Sequence, residues 1–158
     1  MKAVVRVGAI LTVAMTMLVT GKSLFADQKP QLVCCDALEK DSPVARCAES
    51  WLHLVDAGDY RQSWIASSML NRCRHHFESW IDKMCCWRKP YGKVQSRELV
   101  CSDNFRDLPG YACGEFYVVQ YRTEFQHLCS TVCEKVILHC ECDCAGCKRW
   151  KVVCYSIY

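Results

Sequence analysis

Every cysteine of this 158-residue chain, fifteen in all, lies at or beyond Cys34, downstream of a segment that reads as an export signal. Disulfides persist only in oxidising compartments, so this placement ties the thiol chemistry to a destination outside the cytosol. Lys2 and Arg6 give the segment a positive start, and Val7 to Val19 is an apolar run interrupted only by Gly8, Thr12 and Thr16. Ala26 before Asp27 offers a small residue for cleavage, although Leu24 is a less usual companion for it. The run is about 13 residues long, short of the roughly 20 that span a bilayer, so residues 1–26 are expected to be cleaved rather than retained as an anchor. No cysteine sits at the cleavage point for lipid attachment, and no later stretch is long and apolar enough to span a membrane.

Residues 1–26 contain Lys2, Arg6 and Lys22 and no acid, so their removal takes the formal charge from +3 to 0. A neutral mature chain lacks the basic footprint of nucleic-acid binders, and no nucleic-acid partner is expected. What remains suits one domain with a hydrophobic core of its own, for which disulfides are not obligatory.

Residues 27–42 carry Cys34 and Cys35 without periodicity and read as a mobile arm; residues 43–158 read as the folded domain. Ser42 and Pro43 form a helix start, since the hydroxyl accepts from an unpaired N–H and proline suits the first turn. Val44, Ala48, Trp51, Leu52 and Val55 follow at helical spacing, and Gly58 closes the helix. Asp59 and Gln62 resemble a capping box opening a short helix through Tyr60, Trp64 and Ile65. A third helix is expected through Cys73, Phe77, Trp80, Ile81 and Met84, stopping before Pro90 and Gly92.

Beyond Gly92 the period changes. Val94 to Ser102 reads as a strand, followed by a turn at Leu108-Pro109-Gly110. Tyr117, Val119, Tyr121, Thr123 and Phe125 then alternate with polar residues along a second strand. Val132, Val136, Leu138 and Cys140 share one face of a third strand, and Trp150 to Tyr158 is a fourth. Helices followed by consecutive strands predict an α+β fold, with N-terminal helices packed on a curved antiparallel four-stranded sheet.

The series Trp51-Leu52-His53-Leu54-Val55-Asp56-Ala57-Gly58-Asp59-Tyr60, Ser63-Trp64, Arg88 with Pro90 and Gly92, Ser96-Arg97, Leu108-Pro109-Gly110, Gly114-Glu115-Phe116-Tyr117-Val118-Val119, Thr123-Glu124-Phe125, Glu134, Trp150 and Tyr155-Ser156-Ile157 resembles the exported bacterial family known as domain of unknown function 4019. The resemblance spans roughly residues 43–158. It implies export and an architecture like the nuclear-transport-factor and cystatin-like cones, and it brings no catalytic residue. Against the family pattern, this chain places cysteine where an acid is usual before Gly114, where acids and glycine usually build a hairpin tip, and at Cys154. The resemblance therefore implies sulfur added to a scaffold that did not require it.

Cysteine makes up about 11% of the chain beyond Ala26, which falls in the range of disulfide scaffolds. The count is odd, so at least one thiol lacks an intrachain partner. The expected crosslinking residues are Cys34, Cys35, Cys85, Cys86, Cys113, Cys142, Cys144 and Cys147, joining the chain to itself or to other cysteine-rich envelope proteins. Adjacent cysteines close a strained ring, so each member of Cys34-Cys35 and Cys85-Cys86 is expected to seek a separate partner. If strands two and three turn near His127 to Thr131, Cys113 falls opposite Cys142 to Cys144, and a bridge is expected there.

No cofactor is required by this reading. The alternative is zinc or copper held by Cys140, Cys142, Cys144, Cys147 and His139, a soft donor set within nine residues. Among enzyme readings, a cysteine paired with one of five histidines is uninformative in so cysteine-rich a chain. Cys144-Ala145-Gly146-Cys147 has the redox spacing but not the following helix of a thioredoxin site. Asp56 and Asp59 are read as helix caps. Trp51, Trp64, Phe77, Trp80, Tyr117 and Tyr121 either line a pocket or fill the core, and Arg97 and Arg122 matter only if they point inward.

Overall fold

The computed structural model describes residues 42–111, 113–142 and 146–158. The signal at 1–26, the arm as far as residue 41 with Cys34 and Cys35, and Cys144 in the hairpin tip lie outside these described residues.

Helix α1 (Pro43–Asp56) begins as its sequence dictates. Ser42 accepts from the Ala45 N–H at 3.1 Å, and Val44, Ala45, Ala48, Trp51, Leu52 and Val55 form the buried face. Gly58, at φ 75°, turns the chain into α2 (Tyr60–Ala66), which Asp59 caps through the Gln62 N–H at 3.1 Å. The helix expected from Cys73 to Met84 is instead two, α3 (Met69–Arg74) and α4 (Phe77–Lys83). His75 between them is extended, and its carbonyl accepts from the Trp64 indole at 2.9 Å, a tertiary contact that competes with helix continuation. Beyond α4 the chain widens into one π-helical turn, Met84–Arg88, and tightens into a 3-10 turn, Lys89–Tyr91. Trp80, Met84 and Arg88 are the buried side chains along this run.

Four strands follow: β1 (Val94–Phe105), β2 (Phe116–Phe125), β3 (Val132–Cys142) and β4 (Lys148–Ile157). They form one open antiparallel sheet in the order β1-β2-β3-β4, completing an α+β fold. Thr123 pairs with Val132, so β2 and β3 are joined by a hairpin that turns over the expected residues. Extra residues at Gln95, Val100 and Val153 break the register, and each such bulge flips the facing of the residues beyond it and increases twist.

The main core lies between α1 and the inner sheet face, with Trp51, Leu52, Trp80, Val119, Tyr121, Phe125, Val136, Leu138 and Tyr155 at its centre. A smaller cluster of Phe116, Ile137 and Val153 occupies the opposite face, covered by Leu70, Leu108 and Tyr111. The bulge at Val153 lets consecutive valines serve both cores: Val152 belongs to the first and Val153 to the second. It also accompanies an anchor, because the Val152 carbonyl accepts from the Ser68 N–H at 2.8 Å.

Candidate functional site

Where the C-terminus of α1 meets the sheet, the inner face contains charge. Glu134 is fully buried, on the β3 face that also carries Val132, Val136 and Leu138. A carboxylate there requires partners. Arg97 Nε donates to Glu134 Oε2 at 2.6 Å, Thr123 Oγ1 donates to the same oxygen at 2.6 Å, and the Tyr155 hydroxyl donates to Oε1. The other edge of the Arg97 guanidinium grips Asp56, with Nη1 to Oδ2 at 2.7 Å and Nη2 to Oδ1 at 3.1 Å. Arg88 joins from the π-helical turn. Its Nη2 donates to Asp56 Oδ1 at 2.8 Å and its Nη1 to the Gly92 carbonyl at 2.9 Å, while its guanidinium lies 4.3 Å from the centre of the Phe125 ring.

Two carboxylates and two guanidiniums thus form one neutral chain of charge from α1 through β1 to β3. Burial alone would disfavour the Arg97 charge, but hydrogen bonds to Asp56 and Glu134 outweigh it and raise its pKa. Burial first, then the Glu134 charge and hydrogen bond, push the Tyr155 phenol well above its ordinary range, so it stays a donor. Burial is also the main cause that raises Tyr121. Asp56, expected as a cap, is instead the joint acceptor of both arginines. Arg97 points inward, while Arg122, 62% exposed, pairs across the surface with Glu98 at 3.5 Å.

The aromatic pocket candidates pack against one another and the core. The Trp51 indole N–H donates to the Ser63 carbonyl at 2.8 Å and that of Trp80 to Ser63 Oγ at 3.1 Å, with their rings 6.0 Å apart. Trp64 meets Phe77 edge-on at 5.4 Å, and Tyr117 meets Trp150 at 5.2 Å. Tyr121 borders two recesses, one of about 310 Å³ with Ala45, Glu49, Arg97 and Leu99, and another across β2 and β3 with Cys133. A larger cleft, about 570 Å³, opens elsewhere, at the turn between α1 and α2 and against the π-helical turn. Val55, Tyr60 and Ile81 contribute its apolar wall, Arg61, Lys89 and Lys93 its rim, and Cys85 faces it.

No two of the twelve described cysteines are bonded. Cys73, Cys85, Cys86, Cys113, Cys129, Cys142 and Cys147 are exposed; only Cys101 is buried. Of the bridge expected from Cys113 to the Cys142–Cys144 segment, Cys113 and Cys142 are not bonded to each other, and Cys144 lies outside the described residues. Strand pairing ends at Phe116 with His139, and the Gly114 N–H turns back to the Arg106 carbonyl at 3.2 Å, which takes Cys113 off the ladder. Cys47 donates its Sγ–H to the Trp150 carbonyl at 2.9 Å, and burial pushes its pKa up to about 11.

Among its described members, Cys140, Cys142, Cys147 and His139, the soft donor set does not converge on one point. His139 pairs with Phe116 and its ring lies 4.8 Å from that phenyl, on the face of the smaller core, whereas Cys140 pairs with Trp150 toward the main core. Among the described residues no three Cys, His, Asp or Glu side chains are arranged to hold a metal.

The chain belongs to a family described as protein of unknown function (DUF4019), whose model matches residues 47–155. That range holds the whole charge chain, including Asp56, Arg88, Arg97, Thr123, Glu134 and Tyr155. No curated protein and no solved structure matches the sequence. No described helix is long and apolar enough to cross a membrane.

Proposed function

We propose that this protein is an exported component of a bacterial envelope or periplasm with a structural role, joined to copies of itself or to other cysteine-rich proteins through interchain disulfides. The observation that carries this reading is the exposure of seven of twelve described thiols over a core closed without them. Cys85 and Cys86 sit on the π-helical turn, Cys113, Cys142 and Cys147 around the β3–β4 end, and Cys73 and Cys129 elsewhere on the surface. Such separation suits bonds between chains better than bonds within one.

Electrophoresis of protein from its native envelope, alkylated at lysis and run with and without reductant, tests this. The expected result is a ladder of high-mass species that collapses to one band on reduction. A single monomer band under both conditions overturns it.

A further inference from the structure

The geometry points to a binding site for a small amphipathic acid, an apolar body with one anionic head group, in the cleft between the α1–α2 turn and the π-helical turn. Its volume, about 570 Å³, lies in the range of small-molecule sites, roughly 300–1,000 Å³. The wall and rim differ in chemistry. Val55 and Tyr60 are buried members of the main core, and Ile81 packs against it, so an apolar body seated there extends an existing core surface.

The rim is cationic. Arg88 and Asp56 also line the cleft and pair with each other at 2.8 Å, so their charges cancel. At the mouth stand Arg61, Lys89 and Lys93, all exposed and, among the described residues, outside every ion pair. Two exposed acids line it, and both are engaged, Asp56 by the Arg88 and Arg97 guanidiniums and Asp59 by the Gln62 N–H at 3.1 Å. Three cations outside ion pairs against two engaged carboxylates attract an anion and repel a cation of the same shape.

The backbone around the cleft is held in place. Gly92, at φ 76°, lines it and is fixed by the Arg88 guanidinium on its carbonyl and by its own N–H to the Lys89 carbonyl at 3.1 Å. The π-helical turn sets Cys85 on the cleft wall, while the adjacent Cys86 is exposed away from it. Neighbouring thiols thus report on the same peptide, one inside the site and one outside.

The test titrates the full chain, kept reduced, with 2-naphthoate and with its neutral isostere 2-naphthamide, following binding by calorimetry. Expected is preferential binding of the acid, a preference that shrinks as salt screens the rim. Lys89→Gln with Lys93→Gln is expected to weaken the acid about three- to tenfold while leaving the amide unchanged. In parallel, naphthoate is expected to slow alkylation of Cys85 but not of Cys86, read by fragmentation of the peptide that carries both. Equal affinity for acid and amide, no binding of either, an acid affinity indifferent to the double substitution, or protection of both thiols alike would each overturn the site. Binding of an acidic peptide where naphthoate fails would overturn the small-molecule assignment.

Discussion

At the junction of α1 with the sheet, Asp56, Arg88, Arg97 and Glu134 are locked by hydrogen bonds between 2.6 and 3.1 Å, and Glu134 is fully buried. At the other end of the sheet, around the β3–β4 hairpin, Cys113, Cys142 and Cys147 are exposed. The difference separates what holds this fold from what decorates it. An ion chain rooted in a buried carboxylate is indispensable once present, because removing the cation strands Glu134 without water. An exposed thiol strands nothing, and its removal leaves the packing as it was.

The locked end is most vulnerable at Arg97. Arg97→Ala leaves Glu134 with only the Thr123 and Tyr155 hydroxyls, and the stranded carboxylate is expected to cost about 3–5 kcal/mol. That is a large share of the roughly 5–15 kcal/mol typical of a domain. Urea denaturation checks it, with Arg122→Ala as the control, for which an exposed pair predicts a change below about 1 kcal/mol.

Next is Tyr155→Phe, which removes a donor to a charged acceptor without changing shape and is expected to cost about 1.5–3 kcal/mol near neutral pH. Its pH dependence follows from the raised phenol. The folded state favours protonated Tyr155, so its contribution is complete below the unfolded pKa of 10.0 and is lost as pH rises through the higher folded value. The gap between the parent and Tyr155→Phe should therefore narrow in alkaline solution, as measured by thermal unfolding across pH.

Gly92→Ala is expected to cost about 1–3 kcal/mol. At φ 76° and ψ −154° the position admits glycine almost alone, and an added Cβ would meet His127 Nδ1 at 2.9 Å. The same substitution should loosen the cleft, so its stability loss and its effect on naphthoate binding are expected together.

Local chemistry made much of this fold legible. The Ser42 and Pro43 start, the stripe from Val44 to Val55 and the alternation from Tyr117 to Phe125 each depend on neighbours in sequence, and each element formed where expected. The break at His75 was not legible, because its carbonyl is claimed by an indole eleven residues away. Glu134 had a readable signal: it lies on the face defined by Val132, Val136 and Leu138, where an acid demands a cation. The identity of that cation was hidden, since bulges at Gln95 and Val100 reset the facing of β1 and made the parity of Arg97 undecidable. The cleft was hidden for a related reason. Its lining comes from the α1–α2 turn, the π-helical turn and the ends of β1 and β2, which no single periodicity joins.

The smallest expected effect is the most discriminating for the thiol-bearing regions. Cys85, Cys86, Cys113, Cys142 and Cys147 are exposed, and none belongs to either core. Replacing them together by serine should change the stability of the reduced monomer by no more than a few tenths of a kcal/mol per site. The oxygen is smaller than sulfur, but at an exposed position no cavity opens and no buried partner is left unsatisfied. Cys101→Ser should cost more than any of the five, because it puts a hydroxyl at a buried position on the sheet. Urea midpoints of the reduced proteins, compared with the crosslinked ladder of the same variants, then divide the two roles. If stability holds while the ladder disappears, the charge chain and core carry the fold and sulfur carries the connections. If the quintuple variant unfolds as a reduced monomer, the exposed thiols contribute packing that their solvent contact conceals, and the separation drawn between the two ends of the sheet fails.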